Sequence, residues 1–306
     1  MAEGWGYPFP MRKHAVIYGA GGFVGGGLAG MLAAEGFGVT GVSRKGTGDV
    51  VGVSRWVKPE AVDLAGCGVV VNLAGSPIDQ RWTEARKREF HESRVGVTED
   101  IVKKIAALPE GERPGVLLNA SAVGIYGDRG DELLEETASR GEGYLADLCD
   151  AWEKAADHAE PLGVRVVKFR TGVVLGKGGQ AYEKLVTVFK LGIGGRLGDG
   201  RQWMPWIHID DLRRSMVFSI TNEAAVGAVN GTAPEPERNT GLTRKLAEAV
   251  NRRVFLPVPG FALKLALGGF GGALLAGQRA VPAKLESLGF EFLYRKLEDA
   301  LDELTG

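Results

Sequence analysis

The residues with the clearest chemical purpose are Gly19-Ala20-Gly21-Gly22-Phe23-Val24-Gly25. They follow the β-branched run Ala15-Val16-Ile17-Tyr18 and open an apolar segment that runs to about Glu35. In that context a glycine run marks a dinucleotide site. Gly19 suits the tight turn, Gly22 lets the backbone approach a pyrophosphate, and Gly25 lets a helix pack closely on a strand. Phe23 and Val24 begin the helix whose positive N-terminus would face the phosphates. About 20 residues past the first glycine, an NAD site places an acid for the ribose hydroxyls. From Val39 to Gly48 there is no carboxylate, and Ser43-Arg44-Lys45 stands there instead. A forked guanidinium suits a 2′-phosphate that an acid would repel, so NADP is the expected cofactor, with Ser43 and Arg44 on its phosphate. A second cluster, Arg196, Arg201, Trp203 and Trp206, lies within eleven glycine-rich residues. Arg196, Arg201 and Trp203 could grip a phosphorylated substrate and stack on a planar ring, and tryptophans equally serve as packing residues.

Such groups need a scaffold, and the apolar pattern supplies one. The run before the glycines, the helix after them and Val39-Thr40-Gly41-Val42 form a βαβ unit. Further apolar runs at Val69-Val70-Val71, Val116-Leu117-Leu118 and Val164 to Phe169 alternate with helical patterns at Glu84 to Leu108 and Leu145 to Ala159. Strands buried on both faces read as continuous apolar runs, and alternation with helices implies parallel pairing. The expected class is α/β, a doubly wound parallel Rossmann sheet with a smaller C-terminal substrate lobe. Residues 1–10 read as a flexible lead-in, 11–175 as the NADP-binding domain and 176–306 mainly as the lobe, with 207–232 returning to the first domain.

Composition narrows the partners. The 37 basic and 38 acidic side chains leave a formal net charge of −1, so no nucleic-acid partner is expected. Cys67 and Cys149 lie far apart and there are four histidines, which argues against a disulfide framework and a metal site and fits a reducing cytoplasm. Glycine, at 47 of 306 residues, is roughly twice as common as usual but is dispersed through turns, so a collagen-like or low-complexity chain is excluded. Residues Val258 to Gly277 are apolar apart from Lys264, yet carry six glycines. Each weakens a helix by about 1 kcal/mol relative to alanine, so a buried or interface segment is expected rather than a membrane span.

The glycine loop, Asn72-Leu73-Ala74-Gly75, Arg170-Thr171-Gly172-Val173-Val174-Leu175-Gly176 and Pro205-Trp206-Ile207-His208-Ile209-Asp210-Asp211 together resemble the extended short-chain dehydrogenase/reductases. Arg81-Trp82, Ser93-Arg94, Leu191-Gly192-Ile193-Gly194-Gly195, Gly277-Gln278-Arg279 and Leu288-Gly289-Phe290-Glu291-Phe292 resemble the atypical, sugar-nucleotide-epimerase-like branch. The resemblance implies that Leu73 and Ala74 run along the adenosine, that Glu89 and Arg94 face the cofactor, and that Val173 lies near the nicotinamide. Five residues apart on a helix, Glu89 and Arg94 stand about 140° from each other and share a face only loosely. The resemblance also makes the His208, Asp210 and Asp211 cluster a strand-to-helix junction, with Asp210 as the N-cap.

The parent superfamily works with a Tyr-x-x-x-Lys pair, the lysine lowering the tyrosine pKa for proton exchange. Here Tyr144 is followed four residues on by Leu148, and a register anchored on Glu153 puts the pair on Leu145 and Cys149. Neither supplies a lysine. Tyr144 with a distant cation such as Lys154 or Lys168, Ser121 at a predicted strand end, and Tyr126 are the remaining candidates. In a second register the serine's place falls on Ala122. Two functions follow. One is an NADP-dependent oxidoreductase or epimerase on a nucleotide-sugar-like or other phosphorylated small molecule, with nonstandard proton transfer. The alternative is a non-catalytic NADP-binding regulatory or interaction protein, consistent with the cell-division-inhibitor label carried by some members of the branch. Self-association is compatible with either.

Overall fold

Short runs of valine and isoleucine build the centre of the chain, as seen in a computed structural model that describes residues 12–252 and 257–306. The expected lead-in, 1–10, lies outside the described residues. Seven parallel strands form one sheet: β1 (His14–Tyr18), β2 (Gly38–Val42), β3 (Val53–Val57), β4 (Val69–Asn72), β5 (Val116–Ala122), β6 (Arg165–Thr171) and β7 (Gly227–Gly231). Their order across the sheet is β7-β6-β5-β4-β1-β2-β3, so the winding reverses between β1 and β4. That reversal opens the crevice in which doubly wound sheets bind ligands.

Alternation along the strands loads both faces. Ala15, Ile17, Val69, Val71, Leu118 and Phe169 join one apolar cluster, while Val16, Val70, Leu117 and Val166 join another. Against the first face pack α1 (Phe23–Ala34) and, later in the chain, the helix Ile209–Thr221, through Leu28, Leu32, Leu212 and Met216. The other face is covered by helices that follow β4 and β5. These are α2 (Glu84–His91) continuing through a π-helical turn (Glu92–Gly96) into α3 (Val97–Ala106), and α4 (Tyr144–Asp157). The single helix expected from Glu84 to Leu108 is thus interrupted by one wide turn. Strands β3 and β7 carry no sequence signal of their own: β3 is a largely exposed edge, and β7 begins and ends in glycine and is held by its ladder to β6.

After β6 the chain alternates between sheet and lobe, with α5 (Gln180–Lys190), α6 (Ile209–Thr221), α7 (Asn239–Ala249), α8 (Gly260–Leu267), α9 (Gly269–Ala273), α10 (Ala283–Ser287) and α11 (Leu297–Thr305). The lobe has its own core, in which Tyr182, Val186, Phe189, Trp206, Leu242, Leu246 and Leu301 meet. A three-residue parallel pair, Val173–Leu175 with Trp206–His208, carries the chain from β6 into α6. Asp210 does not cap α6: the His208 ring accepts from the Asp210 N–H at 3.2 Å, and Asp210 lies in the first turn. Asp211 is wholly buried and accepts the Leu293 and Tyr294 N–H groups at 2.9 and 2.8 Å, tying the C-terminal segment to α6. The cluster is structural, as the junction reading has it. The apolar stretch from Val258 is not buried throughout: Phe261 and Leu265 of α8 are 76% and 75% exposed. Among the described residues no helix is long and apolar enough to cross a membrane.

Candidate functional site

At the carboxyl ends of β1, β4, β5 and β6 lies a cavity of about 810 Å³, roofed by residues of the lobe. One end is made of the glycine loop. Gly19 has φ 81°, and a β-carbon there would sit 2.9 Å from the Leu73 carbonyl oxygen, so only glycine lets the β1 and β4 turns approach this closely. A β-carbon at Gly25 would collide with the Gly19 carbonyl oxygen. Gly22 begins α1 without a side-chain cap, leaving the free N–H groups of the first turn beside the loop. This is a cradle of bare backbone that an anion fits and that a side chain would fill.

The Gly19 N–H donates to Val42 at 3.2 Å, hanging the loop on the end of β2. The next residue, Ser43, starts a tight turn in which its Oγ donates to the Thr47 carbonyl at 2.8 Å. Arg44 and Lys45 are exposed in that turn and, among the described residues, have no hydrogen-bonding or ionic partner. The expected cationic corner beside the loop is therefore present and unengaged.

The Leu73 and Ala74 backbone is fixed from below. Asn72 Oδ1 accepts the Ala74 N–H at 3.1 Å, and its amide donates to Thr98 and Asn119 at 2.9 and 2.8 Å. The π-helical turn then brings Arg94 into the cavity wall, where its guanidinium donates to the Ser76 carbonyl at 2.9 Å and lies over Trp152. Burial pulls the pKa of Arg94 down, and the Cys149 and Tyr144 side chains oppose that shift. Wide turns of this kind recur at functional sites because they re-aim side chains.

The other end is built from side chains. Ser121, at the end of β5, donates to Glu153 Oε1 at 2.6 Å. Glu153 in turn takes two bonds of 2.8 Å from Arg170, which also donates to the Tyr126 hydroxyl at 2.9 Å. The Tyr126 hydroxyl itself donates to Asn230 Oδ1 at 2.7 Å. Burial works against the charge of Arg170, but the Glu153 carboxylate outweighs it and holds the guanidinium firmly protonated. Ser121 thus faces the cavity with its proton already given away.

Tyr144 begins α4 and lines the cavity, but its hydroxyl donates to the Lys87 carbonyl at 3.3 Å. Burial raises its pKa, and Arg94 offsets this only in part. The Lys87 ammonium lies 5.2 Å from its ring centre. Lys154 pairs with Asp150 and Lys168 with Asp157, at 2.8 and 2.7 Å, so neither stands in for the missing lysine. Leu145, Leu148 and Cys149 line the wall where a cation was sought, and burial pushes the Cys149 thiol up to about 12.

The cavity thus gathers Gly19, Gly22, Phe23, Val24, Gly25, Leu73, Arg94, Ser121, Tyr144, Val173 and Trp203. It does not gather Glu89, which pairs with Arg86 at 2.6 Å on the outer face of α2, nor the exposed Arg196 and Arg201. Tyr126 is fully buried within the network and does not open onto the cavity. Trp203 is held from both sides, with Arg238 and Arg279 4.4 and 4.8 Å from its ring and its N–H on Asp131 at 2.7 Å. Sequence reasoning missed the Glu153–Arg170 pair and the aromatic group of Trp82, Tyr144 and Phe270. In that group Trp82 stands 5.1 and 6.4 Å from the other two rings. Only the unusual acid in the apolar face of α4 hinted at the first; nothing local foretells the second.

The profile of the NAD dependent epimerase/dehydratase family matches residues 15–231, and one described as a domain of unknown function (DUF1731) matches residues 258–304. The chain is 42% identical over 238 residues to the chloroplastic epimerase family protein SDR39U1 homolog of Arabidopsis thaliana, covering 78% of this chain and 68% of that protein. Human epimerase family protein SDR39U1 (isoform 2), whose crystal structure was determined with NADPH, superposes with a TM-score of 0.86 at 31% identity, over 95% of this chain and 99% of that one. A nucleoside-diphosphate sugar epimerase from Corynebacterium glutamicum superposes with a TM-score of 0.78 at 33% identity, over 96% of this chain and 58% of that one.

Proposed function

Because this chain belongs to the NAD-dependent epimerase/dehydratase family, we propose that it binds NADPH across the β1/β4 crevice and acts as an oxidoreductase or epimerase on a small molecule held beside Ser121. The observation that carries the reading is the junction at the end of β2. There the glycine loop hangs on Val42, and the next residues present Arg44 and Lys45, exposed and without a bonded partner among the described residues, in a run from Val39 to Gly48 that holds no carboxylate. The human relative solved with NADPH supports the same choice of cofactor.

In this reading the backbone of Gly19, Gly22, Phe23, Val24 and Gly25 holds the pyrophosphate, and Ser43 and Arg44 hold the 2′-phosphate. Leu73 and Ala74 run beside the adenosine, while Arg94 and Val173 bound the nicotinamide side. When bound, the reduced nicotinamide supplies a hydride. Arg94, already anchored to Ser76, orients groups near it without freedom to swing. Ser121 orients the substrate oxygen, and the Glu153–Arg170 pair fixes its rotamer. Tyr144 closes the wall as a neutral phenol. The lobe, through Met204, Pro205 and Phe270, keeps bulk water from the reacting atoms.

A second reading, in which bound NADPH stabilises a conformation for a partner without turnover, is favoured by the absence of any cation bonded to the Tyr144 hydroxyl among the described residues. Single-turnover hydride transfer, read as oxidation of bound NADPH by a pool of small carbonyl compounds and as reduction of bound NADP⁺ by the matching alcohols, separates the two. Transfer with a member of either pool upholds the enzyme, and cofactor binding without transfer in either direction upholds the second reading.

A further inference from the structure

The walls beyond Ser121 specify a ligand class, and on this point the site departs from the sugar-nucleotide expectation. A nucleoside diphosphate carries two or more negative charges, which proteins meet with arginine forks, lysines or free N–H groups. Among the described residues lining the cavity, the charged side chains are Arg94, Asp128 and Glu142. Arg94 is spent on the Ser76 and Phe90 carbonyls and lies on the cofactor side, against Gly75. Asp128 and Glu142 are carboxylates and would repel a diphosphate. Arg196 and Arg201, the expected grips, do not line the cavity, and neither do Arg238 and Arg279, which flank Trp203.

In place of cations there is an aromatic box. The Trp82 indole is locked by its N–H on the Ile78 carbonyl at 2.9 Å and lies against Gly269, where a β-carbon would collide with the ring. Tyr144 and Phe270 both pack against it, at 5.1 and 6.4 Å between ring centres, and Leu145 and Leu148 join them in the lining. The uncharged polar side chains of the lining include Ser121, Thr171 and Gln278, and of these three Ser121 makes the shortest bond. Because its proton goes to Glu153 at 2.6 Å, it offers lone pairs to an incoming O–H. A carbonyl oxygen would have to break that bond first.

We propose that the substrate half takes an uncharged, flat, largely apolar molecule bearing a hydroxyl, bound between the Trp82–Phe270 box and Ser121, and not a nucleoside diphosphate sugar. The assignment rests on the reading of the other half as the cofactor site.

Calorimetric titration of the full chain, saturated with NADP⁺, with naphthylmethanol, its methyl ether and UDP-glucose tests it. Naphthylmethanol is expected to bind at least about tenfold more tightly than UDP-glucose, and roughly three- to tenfold more tightly than its ether, the value of one hydrogen bond. Ser121→Ala should erase the difference between alcohol and ether. Phe270→Ala, at a partly buried position outside the core clusters and checked for folding by far-UV circular dichroism, should weaken both by a similar three- to tenfold, about the worth of an aromatic contact. Tighter binding of UDP-glucose, equal binding of alcohol and ether, or binding of none of the three overturns the proposal. The same titrations on the cofactor-free chain read the substrate half alone. A failure to bind NADPH would therefore overturn the cofactor reading while these comparisons still decide the ligand class.

Discussion

On the side of the cavity proposed for the cofactor the wall comes from two adjacent turns, Gly19 to Gly25 and Leu73 with Gly75, with Asn72 bolting one of them to the sheet. On the substrate side it is side chains from four separate elements: Ser121 of β5, Tyr144 of α4, Trp82 ahead of α2 and Phe270 of α9. At Gly19 and Gly25 the first kind of wall tolerates no added atoms, because the contacts there are between main chains. The second can change its chemistry one side chain at a time while the fold stands. A lysine can give way to Leu148 or Cys149 without disturbing the sheet, whereas a glycine at position 19 or 25 cannot be exchanged. Cofactor recognition and catalytic equipment are thus separable properties of this fold, and the chain keeps the first without the usual form of the second.

The largest effect is expected where the side-chain half is tied to the core. Arg170→Leu leaves Glu153 as a buried carboxylate whose one remaining partner among the described residues is Ser121, and breaking such a pair costs about 3–5 kcal/mol. Urea unfolding with an unchanged slope should show a loss of that size. Removing both charges, with Glu153→Leu added, should restore part of it, because no orphaned charge remains. A single variant as stable as the parent would mean that the pair is dispensable and that Ser121 is not held by it.

Next comes the backbone half. Gly22 has φ −82°, so valine is not excluded by backbone strain there; its added carbons would stand 3.2 Å from the Gly19 carbonyl, in the cradle itself. Gly22→Val is expected to weaken NADPH binding about a hundredfold or more, equivalent to one or two charge-assisted bonds at roughly 1.5–3 kcal/mol each. Calorimetry beside far-UV circular dichroism measures this, and undiminished binding in a folded variant would show that the cradle is a packing device.

What could be read in advance follows the same division. Five of the seven strands, α1, α4 and the loop are legible because continuous apolar runs and glycine spacings are local signals; β3 and β7 are not, lacking such runs. Asp210 was misplaced by two residues because a histidine ring, His208, does the capping that short polar side chains usually do. Arg196 and Arg201 read as grips because spacing says nothing of direction, and both are exposed and do not line the cavity. Glu153 and Arg170 lie 17 residues apart on different elements, and their bond exists only once α4 docks on β6. Trp82 and Phe270 meet only through the lobe. No window of sequence holds either pair.

A smaller effect sharpens the boundary between the halves. Arg44→Ala should cost NADPH roughly 10- to 150-fold in affinity, the worth of one charged contact to phosphate, and leave NADH binding unchanged. Because Arg44 has no bonded partner among the described residues, stability should not move. Paired titrations with the two cofactors measure the difference. Equal losses for both would place the guanidinium on the shared diphosphate and not on the 2′-phosphate.

The smallest effect is expected at the residue that would matter most in a standard member of the parent superfamily. A positioned general acid or base contributes about 10²- to 10⁴-fold. Tyr144 has the place but not the environment: burial raises its pKa from an ordinary value already near 10, Arg94 compensates only in part, and the hydroxyl is bonded to the Lys87 carbonyl. Its proton is therefore held across about pH 6 to 9, a range in which a tyrosine assisted by lysine would begin to release it. Tyr144→Phe keeps the ring against Trp82 and removes only the hydroxyl, so turnover should fall less than about tenfold, and the two pH–rate profiles should run parallel through that range. A collapse of turnover with cofactor binding intact, or the loss of a basic limb in the variant, would mean that the phenol ionises at the site. The substrate half would then be a working acid–base device whose cation arrives with the ligand, and the contrast between a retained cofactor cradle and altered catalytic equipment would no longer hold.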